Sequence, residues 1–291
     1  MIKTAFGSSR IKDFIGFWDQ FKKNRAAVLG VIIIGFMVLI AVFVPWIAPY
    51  DPFEMQIGRE YRLLKPSSEH LLGTDRFGRD VFSRLLWGSR VSLFIGFIAA
   101  SIAAVIGISL GAIAGYFGGQ TDNAIMRFVD IFLTTPTFFL ILMVAAMFGN
   151  SIWHVMVIIG LTSWPGTTRQ IRAQFLTLKE RPFVEAARSL GASDRHIIFK
   201  EILPNGVFPA IVSMSFRVGG AILTEAGLSF LGLGDPNQVS WGWMLNDALQ
   251  SFLIAWWLPV FPGLIITVIV IAFNLIGDGL NDALNPRLKE R

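Results

Sequence analysis

Cysteine is absent from the 291 residues, so the chain holds no disulfide, no thiolate metal site and no cysteine nucleophile. Histidine is scarce. His70, His154 and His196 stand far apart, which leaves no histidine cluster for a metal. Charge is also sparse: Asp, Glu, Lys and Arg make up 15% of the chain, against about 25% in soluble domains. Hydrophobic residues make up 54%, and mean hydropathy is +0.60. Lipid is therefore the expected solvent for much of the surface. The net charge of +5 is read as Lys and Arg on cytoplasmic segments rather than as a nucleic-acid surface. No P-loop, nucleophile elbow or metal-ligand spacing is present, so the sequence shows no catalytic constellation and no cofactor is expected in it. No internal repeat or low-complexity segment is apparent.

Long uncharged runs dominate what is there. A membrane-crossing helix needs about 20 largely apolar residues. Ala26 to Tyr50 supplies a first span and Val91 to Thr121 a second. Ile131 to Thr168 is too long for one helix, and Gly149-Asn150-Ser151 divides it into spans over 130–149 and 152–170. A fifth span covers 206–230 and carries Arg217 and Glu225; the sixth takes the last twenty or so residues of the run Ala248 to Gly277. The expectation is an all-α integral membrane protein of six transmembrane helices. Its parts are an N-terminal segment 1–25, a first helix 26–50, a loop 51–88, a five-helix core 89–278 with a charged loop 171–203, and a tail 279–291. The basic N-terminus followed by an apolar run resembles a signal peptide. The run exceeds the usual length of about 7–15 residues and lacks a small-x-small site, so an uncleaved span is expected.

Basic residues orient the spans. One side collects Lys3, Arg10, Lys12, Lys22, Lys23 and Arg25, then Arg127, then Arg169, Arg172, Lys179, Arg181, Arg188, Arg195 and Lys200, and finally Arg287, Lys289 and Arg291. The other side has Arg59, Arg62, Lys65, Arg76, Arg79, Arg84 and Arg90, offset by six acids of the first loop. Both termini are expected in the cytoplasm, in a bacterial inner membrane.

The charged loop has helix punctuation of its own. Pro182 suits a first helical turn. Phe183, Ala187 and Leu190 then fall on one face, widened by Ala186, with Glu185, Arg188 and Ser189 off it. Gly191 suits a helix end with positive φ, and Ser193 suits the cap of a second short helix reaching Ile202. Pro204 is expected to stop that helix. Such a segment either lies on the membrane surface or seats in a groove of another protein.

The order Glu185-Ala186-Ala187, Gly191, Ile202-Leu203-Pro204 resembles the cytoplasmic "EAA loop" of bacterial ABC-importer permeases. Four further segments are similar to the dipeptide/oligopeptide importer family, C-type subunit: His70 to Arg84 (HLLGTDRFGRDVFSR), Leu228 to Gly234 (LSFLGLG), Trp241-Gly242 with Met244-Leu245, and Gly277 to Pro286 (GDGLNDALNP). One departure is the linker Asp235 to Ser240, with one proline where the family commonly has two or three. The resemblance implies a type-1 ABC-importer permease fold. It also implies a second permease subunit as heterodimer partner, two ATPase subunits that bind ATP and Mg, and an extracytoplasmic substrate-binding protein. It makes Glu185, Ala186, Ala187, Gly191, Ile202, Leu203 and Pro204 the ATPase-coupling residues. Asp75, Arg79, Asp80, Asp235 and Trp241 become candidates for binding-protein contact. Di- and oligopeptides are the implied cargo, with a nickel chelate or an oligosaccharide as alternatives within the same machinery.

Other residues are read from physics alone. A charge inside a span is costly and faces a bundle interior or a water path. Arg217 and Glu225 lie about 80° apart around their helix. They either line the translocation path or its gate, or make structural ties to the partner permease. Gly107, Gly111 and Gly115 form a ridge for close helix packing. Asp122, Arg127 and Asp130 are expected at a solvated helix end. Trp46, Trp87, Trp153, Trp256 and Trp257 are expected as interfacial anchors. An ion-gradient-driven transporter would favour paired mid-membrane acids or broken helices, and Glu225 is the sole acid in its span.

Overall fold

The computed structural model describes residues 16–56 and 58–284. Residues 1–15 of the expected segment 1–25 and residues 285–291 of the expected tail 279–291, with Lys3, Arg10, Lys12, Pro286, Arg287, Lys289 and Arg291, lie outside the described residues. Ten helices of eight residues or more carry the fold among the described residues whose bounds are complete: α1 Arg25–Ile47, α2 Val81–Phe117, α3 Gly119–Thr134, α4 Thr137–Phe148, α5 Ile152–Ser163, α6 Pro165–Leu178, α7 Pro182–Ser189, α8 Phe208–Phe230, α9 Trp241–Ala248 and α10 Trp257–Leu284. No strand occurs among the described residues, only an isolated bridge between Thr74 and Asp80.

α1, α2, α8 and α10 are each long and apolar enough to cross a membrane, and α3 with α4 supplies a fifth candidate if the bent pair counts as one span. Four boundaries differ from expectation. The span expected over 130–149 begins at Gly119 and bends by 82° near Pro136. Proline disfavours the α conformation in the residue before it, here Thr135, which is extended. The span expected over 152–170 is interrupted at Trp164, because Pro165 lacks an N–H to continue the ladder, and neither half alone is long enough. α2 begins ten residues before the expected Val91, taking in part of the expected loop 51–88. At about 1.5 Å per residue its 37 residues span about 55 Å, well beyond a hydrocarbon core of about 30 Å. Its first turns, with Arg84 and Arg90, are thus free to lie outside lipid. α10 likewise continues past the expected end at 278 to Leu284.

Caps explain the starts. The Asn24 side chain accepts from Ala27 N at 3.1 Å and opens α1, and Asp80 accepts from Ser83 N at 2.7 Å and opens α2. α2 is the central rod, and small residues let its neighbours close on it. A Cβ on Gly107 would lie 2.5 Å from Thr167 Cβ. On Gly111 it would lie 2.6 Å from the Thr168 carbonyl, and on Gly115 2.5 Å from Phe175 Cβ. The glycine ridge read from sequence is therefore the seat of α6. Gly111→Ala is expected to cost about 1–3 kcal/mol through overpacking, read as a lower Tm of the purified protein. An unchanged Tm would mean that α6 has room to move away.

Nearer its N-terminus α2 meets α8, where Ile222 and Val218 close on Gly96. α10 packs on α8 and on α1, with Asn24 Nδ2 donating to Asp282 at 3.0 Å across the base. The expected solvated helix end at α3 is only partly so. Asp122 is buried and takes a bidentate pair of hydrogen bonds from Arg172, both 2.5 Å, whereas Asp130 pairs with Arg169 in the open. The Asp122 contact pushes the Arg172 pKa up from its ordinary value. Of the expected tryptophan anchors, Trp46, Trp153 and Trp256 are exposed and Trp87 is half-buried. Trp257 is buried and donates to the Thr74 carbonyl instead.

Candidate functional site: a docking loop, a charged cap and a mid-helix arginine

Three groups of functional side chains emerge, at the two ends of the bundle and between them. The first is the charged loop between α6 and α8. Pro182 takes the first turn of α7. Gly191 has φ +82°, a conformation open to glycine and strained for other residues. Its N–H donates to the Arg188 carbonyl, and that of Ala192 to the Ala187 carbonyl. These two bonds close the helix as a Schellman motif. Ser193 accepts from His196 N and starts the next helical run, as expected. Pro204 does not stop that run. A π-turn over Ile197–Ile202 passes the Leu203 N–H back to the Ile198 carbonyl, and the chain stays helical through Leu203–Gly206 with Pro204 in its first turn.

Burial divides the loop. Val184, Ile197, Ile198 and Ile202 pack with Ile171, Phe175 and Ala210, fastening it to α6 and to the foot of α8. The Tyr116 hydroxyl donates to Asp194 at 2.6 Å, tying it to the end of α2. Val184, rather than the expected Phe183–Ala187–Leu190 face, is the inward anchor. That face points away: Leu190 is 88% exposed, Phe199 64% and Phe183 40%. Glu185, Ala186 and Pro204 are exposed beside it, Ala187 and Leu203 half-buried. Exposed Leu and Phe side chains around an acid and two alanines form a surface that this chain leaves uncovered.

The second group caps the other end. Arg79 donates to Asp75 at 2.6 Å and to Asp247 at 2.6 Å, Arg84 donates to Asp247 at 2.9 Å, and Arg76 approaches Asp247 at 3.6 Å. His70 Nδ1 lies 2.8 Å from Asp80, whose other oxygen caps α2. Trp241 is fully buried, and its indole donates to the Leu85 carbonyl at 3.0 Å. Four of the five binding-protein candidates, Asp75, Arg79, Asp80 and Trp241, are thus buried in the chain's own structure. A side chain with under a tenth of its surface free offers almost no contact area, so these four hold the cap together instead. Asp235 is half-buried and accepts from Asn237 N and, at 3.3 Å, from Ile152 N. Asp247 and Arg84 carry this cap and were not singled out by the sequence reading. No local pattern marks Asp247, whose partners lie 163 and 168 residues away.

The third group is in α8, and the structure separates its two charges. Arg217 Nη1 donates to the Ser163 carbonyl at the break between α5 and α6. The side chain borders a cavity of about 400 Å³ lined by Ser163, Ser213, Phe216, Gly220, Ala221 and Thr224. Glu225 does not join it. Its Oε1 accepts from Ser229 at 2.6 Å and from Ser240 at 2.7 Å, and Ser240 caps α9 by accepting from Trp243 N. Glu225 is 3% exposed and holds the turn from α8 to α9.

Comparison with known proteins bears on the family and the fold. The family described as "binding-protein-dependent transport system inner membrane component" matches residues 107–290. A second, the "N-terminal TM domain of oligopeptide transport permease C", matches residues 14–66. The dipeptide transport system permease protein DppC of Alkalihalophilus pseudofirmus is 42% identical over 94% of this chain and 89% of its own length. The glutathione transport system permease protein GsiD of Pectobacterium atrosepticum is 41% identical over 94% and 91%. Among solved structures, an inward-facing MetNI methionine ABC transporter aligns with TM-score 0.55 at 17% identity, covering 69% of this chain and 97% of its own. That likeness shows the fold.

Proposed function

We propose that this chain, which belongs to the family of binding-protein-dependent transport system inner membrane components, forms half of the translocation path of an ATP-driven importer of di- and oligopeptides. In this reading it catalyses nothing itself. Two partner ATPase subunits bind ATP and Mg, a second permease completes a heterodimer, and an extracytoplasmic protein delivers cargo. The peptide assignment draws on relatives named for dipeptide and glutathione transport.

One observation carries the coupling reading: the loop is fastened to α6, α8 and the end of α2 while Phe183, Leu190 and Phe199 face outward. A groove on an ATPase that covers this surface grips three helices at once. Closing the ATPases then moves the cytoplasmic ends of α2, α6 and α8 together. Glu185, Ala186, Ala187, Gly191, Ile202, Leu203 and Pro204 supply the docking helix, its turn and its anchor. Arg217 borders the path, and Glu225 supports the outer turn above it.

The test is co-expression with ATPase, second-permease and binding-protein subunits from the same organism, followed by reconstitution. Co-purification of the ATPase and ATP-dependent uptake of alanylalanine are expected. Topology is checked in the same system, since the chain has no cysteine to give background labelling. Arg195→Cys is expected to resist an impermeant thiol reagent in intact cells and to react in inverted vesicles. Reaction in intact cells would overturn the cytoplasmic placement of the loop.

A further inference from the structure

Ser213, Arg217, Gly220 and Thr224 recur at intervals of four, three and four residues along α8, which puts them on one face. A polar stripe of this kind is not a lipid surface. Arg217 lies nine residues into α8, about 14 Å from its start, well inside the helix. A second cavity of about 480 Å³ shares Ser213 and Phe216 with the first and reaches Gln170 and Asn281, extending the polar face toward the loop end.

The guanidinium is held but not satisfied. Nη1 is fixed on the Ser163 carbonyl. Nη2 occupies space that Gly166 leaves open, since a Cβ there would lie 2.9 Å away. Nε is buried with no hydrogen-bond partner. No carboxylate lies within 4 Å of Arg217 among the described residues. Of the three hydroxyls that line the cavity, those of Ser213 and Thr224 are engaged as donors: Ser213 donates to Gln170 Oε1 at 2.7 Å and Thr224 to the Gly220 carbonyl at 2.8 Å. Arg217 Nη2 is therefore the charged donor left without a protein partner. A carboxylate accepts a charge-assisted hydrogen bond from such a guanidinium N–H more strongly than a neutral group does. A bare metal cation would be repelled by this charge.

We infer that the Arg217 cavity is a way-station for the carboxylate of a small passing solute. This rests on the reading of the chain as a permease and adds a chemical preference inside the path, separate from whatever the binding protein selects. The pocket, about 400 Å³ and open on one side, has room for a small solute.

The experiment uses the assembled complex and the thiol introduced by Thr224→Cys in this cysteine-free chain, read by the mass of this subunit. A methanethiosulfonate carrying a sulfonate is expected to react about tenfold faster than one carrying a trimethylammonium, after correction for their rates on a free thiol. The preference is expected to vanish with Arg217→Gln and to persist with Arg217→Lys. With Arg217 intact, N-acetylalanine is expected to slow the reaction and N-acetylalanine amide to leave it unchanged. Equal rates for the two reagents with Arg217 present, no modification by either, or equal protection by acid and amide would each overturn the inference. The protection arm needs no Arg217 variant, so it stands even where Arg217→Gln fails to assemble. Uptake of alanylalanine is scored separately. A complex that fails to carry it while keeping the sulfonate preference refutes the peptide reading and leaves the carboxylate site in place.

Discussion

Asp247→Ala is expected to be the most damaging single change in the chain, lowering stability by about 3–5 kcal/mol. Asp247 is the acceptor for Arg79 and Arg84 together, at 2.6 and 2.9 Å, with Arg76 at 3.6 Å. Both bonded arginines are buried. Without Asp247 they share Asp75 alone, which lies 2.6 Å from Arg79 but 3.8 Å from Arg84. An unpaired buried charge is costly because the desolvation already suffered is no longer offset. The cluster also joins three elements: the loop before α2, the first turns of α2, and α9. Its loss should release α9 from the rest. The measurement is the Tm and yield of the complex in detergent, with the exposed Glu54→Ala as a control expected within about 0.5 kcal/mol of the parent. Combining Asp247→Ala with Arg84→Met should recover part of the loss, because it removes a charge left without its partner. If Asp247→Ala melts with the parent, the cluster is not what holds the cap.

The second large effect is expected at the docking loop, on transport rather than stability. Leu190→Asp changes a side chain that is 88% exposed, so the isolated fold should be indifferent to it. If a partner buries Leu190, covering it contributes about 1.5–3 kcal/mol. Replacing it with a charge should then weaken ATPase association by tenfold or more, at about 1.4 kcal/mol per decade. Glu185→Lys alters the same surface by charge alone. Gly191→Pro acts differently, since it imposes φ near −65° where the turn requires +82°. Insertion should be intact in all three, while uptake and substrate-stimulated ATP hydrolysis separate. Parental uptake with normal stimulated hydrolysis in every variant would falsify the docking role.

Much of this architecture is legible in the sequence because it is local or compositional. Uncharged runs set where α1, α2 and α10 lie, and an apolar run broken by two charges marks α8, since a backbone in lipid must satisfy its own hydrogen bonds and therefore becomes helical. Pro182, Gly191 and Ser193 mark the start, end and restart of the docking loop because each acts on its own dihedrals or its nearest amides. The glycine ridge of α2 can be seen as a four-residue spacing, although the spacing does not say that α6 sits on it.

Tertiary structure alone decided the rest, and each case turns on a partner distant in sequence. Helical periodicity shows that Val184 and Phe183 lie on different sides of α7 but not which side meets α6 and the foot of α8. Arg217 and Glu225 look like two charges in one span. Their 80° separation sends one to an open cavity beside Ser163 and the other to Ser240 on the far side of a turn. Asp75, Arg79 and Asp80 sit in a polar loop and suggest an exposed contact, until Asp247 arrives from α9 and closes over them. Pro204 marks a helix end by local rules, and a π-turn set by the packing of Ile197, Ile198 and Ile202 carries the helix past it. Local chemistry fixes which conformations a segment can adopt. What faces a charge depends on the packing of whole helices, and that is settled only when the bundle closes around α2.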